Sequence, residues 1–281
     1  MVQKAGVHSA TVRRYLAQNF LEDGTQSGAA TQFIDSAAAS KAIADLSETV
    51  LLPVVSDMIG WNISDCRRLA ELEILPAVVK RDVKGFGLKQ RYSKSAVIAM
   101  KEGLVAKATM APDQLQSLRA LRVSVVSGQD DILKAVFDGR LQRMAYAECP
   151  SILDAIKVDL WEVMRHCPEV MVSPRTINKL LGFERTTFLA LLELGAFSNA
   201  TQGTAVSVKA GDVVEFDRAF VTSARVKRDY KLGRGDFLSM MKVGDIEPAF
   251  SVNDAGQLIL RRVDIPRLLS AGGKDVPILV E

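Results

Sequence analysis

Between Leu52 and Met100 the apolar positions fall into two short helical periods followed by two extended runs. Cys66, Leu69 and Leu72 recur at the i, i+3, i+6 spacing of a buried stripe, which leaves Asp65, Arg67, Arg68 and Glu71 facing outward. A preceding apolar helix, Pro53 to Ile59, is expected to stop at Gly60, with a turn through Trp61 and Ile63. Ser64 is placed to cap the second helix, which runs to about Glu73 before Ile74-Leu75-Pro76 ends it. Val78-Val79 and Leu88 to Tyr92 then flank Gly85-Phe86-Gly87 as a hairpin, and Ser93 caps the helix that follows. Two helices and a hairpin in this order predict a winged helix-turn-helix.

The same succession is legible elsewhere in looser form. Ala5 to Leu16 matches the turn and second helix, with Ser9 as cap and Val12, Tyr15 and Leu16 inward; the matching first helix is missing, which leaves open a piece of a longer protein or a divergent relative. A polar stretch, Asp23 to Gln32, and a helix from Phe33 to about Leu46 complete that partial copy. A third copy places Leu115, Leu118 and Leu121 on a first helix and Asp130 to Phe137 on a second, with a return strand at Ile152 to Val158. The fourth has helices from Pro174 to Leu181 and from Arg185, with Phe188, Leu191 and Leu192 inward, Glu184 in the cap position and a wing tip at Thr201 to Gly203. Its return strand is read at Ala205 to Val208 and its last helix at Asp212 to Phe216. The fifth has helices at Ser223 to Tyr230 and Asp236 to Met241, a wing at Phe250 to Gln257 and a return strand at Leu258 to Arg262. The apolar exits Phe20, Leu75, Leu141, Phe197 and Ile246 lie 55, 66, 56 and 49 residues apart by subtraction. Periodicity on this scale predicts a tandem array in which neighbouring units bury one another's apolar faces. The expected fold class is mainly α with small β wings, a tandem array of winged helix-turn-helix-like modules. Its modules are 1–48 (partial), 49–108, 109–168 (degenerate), 169–220 and 221–281, the last with a C-terminal tail.

Composition narrows the function classes. The chain has 281 residues, 48% hydrophobic and 25% charged, which suits a globular protein. No apolar run reaches the roughly 18 residues of a membrane span and the N-terminus has no signal-peptide core, so a cytoplasmic location is expected. Cys66, Cys149 and Cys167 form no CxxC pair and His8 and His166 are isolated, so neither disulfides nor a metal centre is expected. No phosphate-binding loop, HExxH or nucleophile elbow is present, and neither catalytic residues nor cofactors are expected. The net charge is +3 and unevenly spread: residues 1–108 hold 14 Lys+Arg against 11 Asp+Glu, 109–169 hold 7 against 9, and 170–281 hold 15 against 13. Both ends therefore suit a polyanion better than the middle does.

The Met58-Ile59-Gly60 turn, the Arg67-Arg68 pair, Ile74-Leu75-Pro76 and Arg91-Tyr92-Ser93 resemble the winged helix-turn-helix of the MerR and excisionase superfamily. The array as a whole resembles the C-terminal part of TniQ/TnsD-type transposition proteins. The matching stretches are Asp131-Ile132-Leu133 to Gly139-Arg140-Leu141, Val158-Asp159-Leu160, and Gly244-Asp245-Ile246-Glu247-Pro248 to Arg261-Arg262-Val263-Asp264; the cysteine-rich zinc motifs of that family have no counterpart here. The resemblance implies target-site choice for a transposon, through double-stranded DNA and partner proteins of transposition or other DNA processing.

In such a module the exposed face of the second helix enters the major groove and the wing holds phosphates. Candidate DNA contacts are Arg67, Arg68, Lys84, Lys89 and Arg91 in the complete unit, with Arg13, Arg14, Arg185, Arg228 and Arg234 as counterparts. Thr186, Thr187 and Arg68 are the candidates for base edges. The alternative is a protein-interaction scaffold of degenerate modules that do not bind DNA, favoured by Asp65, Asp130, Asp131, Glu184 and Asp236 near the starts of second helices.

Overall fold

The computed structural model describes residues 10–12, 15, 36–79, 89–197, 200–202 and 206–273. The described chain is mainly helical, with small sheets. Residue contacts divide it into two compact units, 1–118 with 136–157 and 119–135 with 158–281.

In the first unit, helix α1 (Ser36–Ser47) leads through β1 (Thr49–Val50) into α2 (Leu52–Ile59) and α3 (Ile63–Glu71). Strands β2 (Ala77–Val79) and β3 (Arg91–Ser93) follow, then α4 (Lys94–Lys107). β3 pairs antiparallel with both β1 and β2, so the strand before the helices and the hairpin after them share one small sheet, order β1-β3-β2. Gly60 ends α2 at φ 72, a left-handed position that costs glycine least. Trp61, 2% exposed, then drops into the core edge-on to Phe137, at 6.5 Å between centroids. Ser93 caps α4 by accepting a hydrogen bond from the Ala96 N–H. In the partial copy, Val12 is buried as expected and Tyr15 is half-buried; burial and then the nearby Asp45 charge raise the Tyr15 pKa.

The next elements are β4 (Gln116–Ser117), α5 (Leu118–Ser124), β5 (Val125–Ser127), α6 (Gln129–Phe137) and β6 (Met144–Tyr146). A single helical turn, α7 (Ile152–Ala155), precedes β7 (Ile156–Val158). Its sheet, order β4-β7-β6, repeats the arrangement of the first.

The rest of the chain builds the second unit: α8 (Leu160–His166), β8 (Met171–Val172), α9 (Pro174–Leu181), α10 (Arg185–Glu193), β9 (Ala200–Gln202), β10 (Val206–Lys209) and α11 (Ala210–Ala219). They are followed by β11 (Phe220–Thr222), α12 (Ser223–Asp229), α13 (Arg234–Val243), α14 (Val252–Ala255), β12 (Ile259–Arg261) and α15 (Ile265–Ala271). One sheet runs β5-β8-β10-β9 and another pairs β11 with β12. Phe183, Phe188, Phe197, Phe216 and Phe250 form a chain of ring contacts, Phe197 stacking on Phe216 at 5.1 Å. Val226, Phe237, Met240, Leu260 and Leu268 close the core of the last segment.

Among the described residues, strand, helix, helix and return strand thus recur four times. The first helices begin at Leu52, Leu118, Pro174 and Ser223; the buried exits are Leu75, Leu141, Phe197 and Ile246, each 23 residues later by subtraction. The spacing between repeats varies only in what lies beyond that fixed frame. A left-handed residue closes each second helix: Glu73, Gly139, Gly195 and Asp245, with φ 58, 75, 72 and 47.

Several local expectations are corrected. Asn62, not Ser64, caps α3: its side chain accepts from the Asp65 N–H, and Ser64 lies two residues later with its hydroxyl donating to the Asn62 amide oxygen. Leu72 is the half-exposed end of α3 rather than part of its buried stripe. Leu115 precedes its helix, which starts at Leu118 after β4. Thr201 belongs to strand β9 and not to a hairpin tip. In the last repeat the expected wing, Phe250 to Gln257, contains the helical turn α14, fixed by a reciprocal Ser251–Asp254 capping box. The expected return strand at Ile152 begins likewise as the helical turn α7.

Candidate nucleic-acid interface

The candidate surface is the outer side of the second helices with the hairpins that follow. On α3, Cys66 and Leu69 point into the core and Arg67 points out. Arg68, one position on, is half-buried and already interacts within the protein. Lys89 is exposed just before β3. Arg13, Arg14 and Lys84, and the side chain of Arg185, lie outside the described residues.

Arg91 is half-buried and bonded within the protein. Its Nε donates to Thr49 Oγ1 at 2.7 Å and its Nη2 to the Thr49 carbonyl at 2.9 Å, so the guanidinium ties β3 back to β1. Burial lowers its pKa. Strand alternation explains this: Tyr92 occupies the core side and Arg91 the other, but Thr49 offers two acceptors across the ladder.

Asp65 was expected to face solvent and is 9% exposed. Its Oδ2 accepts from the Ile152 N–H at 2.9 Å, the Ser151 hydroxyl at 3.1 Å and the Asn62 amide at 2.9 Å. The Pro150 carbonyl accepts from the Asn62 N–H at 2.7 Å. Residues 150–152 therefore cover the side of the first turn of α3 that carries Asp65, while Ile63 and Ser64 of that turn stay exposed.

The same holds for α10. Thr187, a candidate base reader, is fully buried and its hydroxyl donates to Gln257 Oε1 at 3.4 Å. That oxygen also accepts from the Glu184 N–H at 3.3 Å, and Gln257 Nε2 donates to the Gly182 carbonyl at 3.1 Å. Glu184 holds the cap position but makes no side-chain cap. Thr186 stays exposed beside Gly256.

Along α12 and α13 the basic cluster is partly consumed by structure. Arg225 and Arg262 both grip Asp217, which fastens β12 and α12 to α11. Lys227 lies 5.9 Å over the Phe237 ring. Arg228 is exposed and bonded to Asp229 at 3.0 Å, while Arg234 is exposed at the start of α13. The outer faces of α10 and α13 and their ends also expose Leu189, Leu194, Leu238 and Val243, at 51%, 52%, 51% and 70%, among the exposed polar residues Glu193, Asp236, Ser239 and Lys242.

Among the described residues no cluster of His, Cys, Asp and Glu side chains has metal-binding geometry, and no helix is long and apolar enough to cross a membrane. An apolar groove between α2 and α4, lined by Met58, Ile98 and Val105, carries only Lys101 and Glu102 as charged groups, and Lys101 is paired with Glu148. No signal short of the structure marks Asp65 or Gln257 by itself; the resemblance of Ser151-Ile152-Leu153-Asp154-Ala155 to Ser251-Val252-Asn253-Asp254-Ala255, two turns that each precede a return strand, is the pattern that could have pointed to them. Comparison with protein-family models, curated proteins and solved structures gives no match.

Proposed function

We propose that the chain is a non-catalytic DNA-binding protein built from tandem winged-helix modules, 49–108, 109–168, 169–220 and 221–281 after a partial module at 1–48. Its principal duplex contact is the module of α2, α3 and the β2–β3 hairpin. The observation that carries this reading is the outer face of α3, where Arg67 is exposed on a helix held by the core, with Lys89 exposed at the hairpin. Such cations neutralise phosphates and set register, so affinity should be largely non-specific and salt-dependent. Target-site selection for a transposon is the role that the sequence resemblance adds.

Titration with a mixed pool of duplexes at two salt concentrations, with a single-stranded control, tests the reading. Tight duplex binding that weakens steeply with salt is expected, and enriched sequences would show what is read. Absence of binding at low salt sinks it.

The exposed Leu189, Leu194, Leu238 and Val243 favour a second reading for α10 and α13, a surface for a protein partner. Under that reading the DNA-processing protein is bound by the 169–281 region while DNA is bound by the 49–108 module.

A further inference from the structure

The two covered helix starts are the same contact made twice. Asp65 lies ten residues before Leu75 and Thr187 ten before Phe197, by subtraction, so they occupy one position of the fixed frame. The cap residues Asn62 and Glu184 likewise each lie thirteen residues before the exit. In both cases the next repeat takes the cap N–H, through the Pro150 carbonyl at 2.7 Å or Gln257 Oε1 at 3.3 Å. In both it also takes the polar group at the frame position: Asp65 through Ile152 N–H and Ser151, Thr187 through Gln257. The contacts come from the two S-x-x-D-A turns, Ser151–Ala155 and Ser251–Ala255, and their flanks, Pro150 standing just before the first and Gln257 two residues after the second, with a return strand following each. The chemistry differs in detail. In the first pair the helix supplies a carboxylate to a backbone donor; in the second Gln257, two residues beyond the turn, supplies an amide that reaches three groups at the helix start.

We propose that the two turns are clips: each repeat carrying one locks the second helix of the hairpin-bearing repeat before it, so that the array is built of clipped pairs, 49–158 and 169–261. Asp65 and Gln257 are positioning residues in these clips. Resting on the DNA-binding reading, the clip defines what α3 and α10 can present: the sides carrying Asp65 and Thr187 are closed to nucleic acid, and contact falls to the exposed Ile63, Ser64 and Thr186, the later outward turns and the hairpins of the clipped members. A buried polar group at this frame position without its partner would carry an unsatisfied donor or acceptor, which is why the two sides belong together.

Hydrogen exchange on the full chain tests the clip without any ligand. Asp65→Ala should speed exchange at both Ile152 and Asn62 amides by about tenfold, as loss of a buried hydrogen bond implies, with α13 unchanged. Gln257→Ala should do the same at the Glu184 amide with α4 unchanged. Asp65→Asn and Gln257→Glu, which keep an acceptor oxygen, should restore much of the protection and guard against a variant that fails to fold. Unchanged exchange at Asn62 and Glu184 in the alanine variants overturns the proposal. Duplex titration of the same variants separates it from the function: weaker binding with an unchanged salt slope is expected, since no phosphate contact is removed. A wild-type chain that binds no duplex refutes the DNA reading, and with it the confinement of contact, while the exchange result still decides the clip.

Discussion

Helices α3 and α10 occupy the same frame and present different surfaces. Eight residues before the exit, by subtraction, α3 carries Arg67 and α10 carries Leu189, both exposed. One position earlier, on the core side, α3 buries Cys66 and α10 buries Phe188. The interior differences are matched by their surroundings: Phe188 packs at 5.7 Å on Phe197, whereas the Cys66 thiol donates to the Trp61 carbonyl and lies near Tyr92, with Trp61 edge-on to Phe137 at 6.5 Å. A backbone frame of constant length tolerates such exchanges because the exit residue, the left-handed closure and the clip define it, leaving the outer face free to take on cation or leucine.

The largest test of the comparison is in the core. Phe197→Ala removes a ring packed on Phe188 and Phe216, and should destabilise the second unit by about 3–5 kcal/mol. Leu75→Ala at the same frame position should cost about 2–5 kcal/mol and fall below it. Urea unfolding followed by probes in each region would measure both. Equal losses would show that the ring chain does not strengthen the α10 frame.

Alkaline pH should separate the two regions next. Burial, and then the neighbouring Asp65 charge, push the Cys66 thiol up to about 11 from 9.0, and burial raises Tyr92 as well. A raised folded pKa means stability fully present below the unfolded value and lost as the pH rises toward the folded one. The first unit should therefore weaken between pH 9 and 11, a loss reduced in Cys66→Ala, while Phe188 gives α10 no such sensitivity. A pH-independent unfolding midpoint across that window for the first unit would contradict the burial argument.

At the surface, Arg67→Ala should weaken duplex binding for all sequences and reduce the salt slope by about one. Leu189→Ala should leave that slope unchanged and weaken capture of a protein partner instead. Equal effects of the two substitutions on the slope would erase the distinction between the faces.

What the sequence displayed well was the frame. Leu75, Leu141, Phe197 and Ile246 are apolar at the exits, and Gly60 and Gly182 mark first turns, because burial and left-handed backbone each leave a local trace. In the last repeat Lys231 takes the left-handed place, at φ 52, and the trace is lost. Periodicity reports only which side of an element faces the core, so it does not show that Asp65, Thr187 and Arg91 are bonded within the protein. Their partners, Ile152, Gln257 and Thr49, stand 87, 70 and 42 residues away, beyond any local pattern. A polar residue is bound to be paired when buried, but only tertiary structure says where. The hairpin in the last repeat was likewise overwritten by Ser251 and Asp254, whose capping box makes a helical turn of a stretch that alternation reads as extended.

The smallest prediction concerns the caps, and it separates what each helix start does for itself from what its neighbour does. Asn62 both caps α3 and meets Pro150; Glu184 offers α10 an extended backbone, φ −73 and ψ 157, without a side-chain cap. Glu184→Asn supplies the missing acceptor with the backbone already suited to it, and should stabilise the second unit by about 0.5–1 kcal/mol. Asn62→Ala removes a cap and should cost about 1–2 kcal/mol. Thermal unfolding of both variants gives the sign. Should Glu184→Asn prove neutral, the Thr187 N–H is already satisfied by the Glu184 carbonyl; a gain shows that a cap there adds to the Gln257 contact, which takes the Glu184 N–H instead.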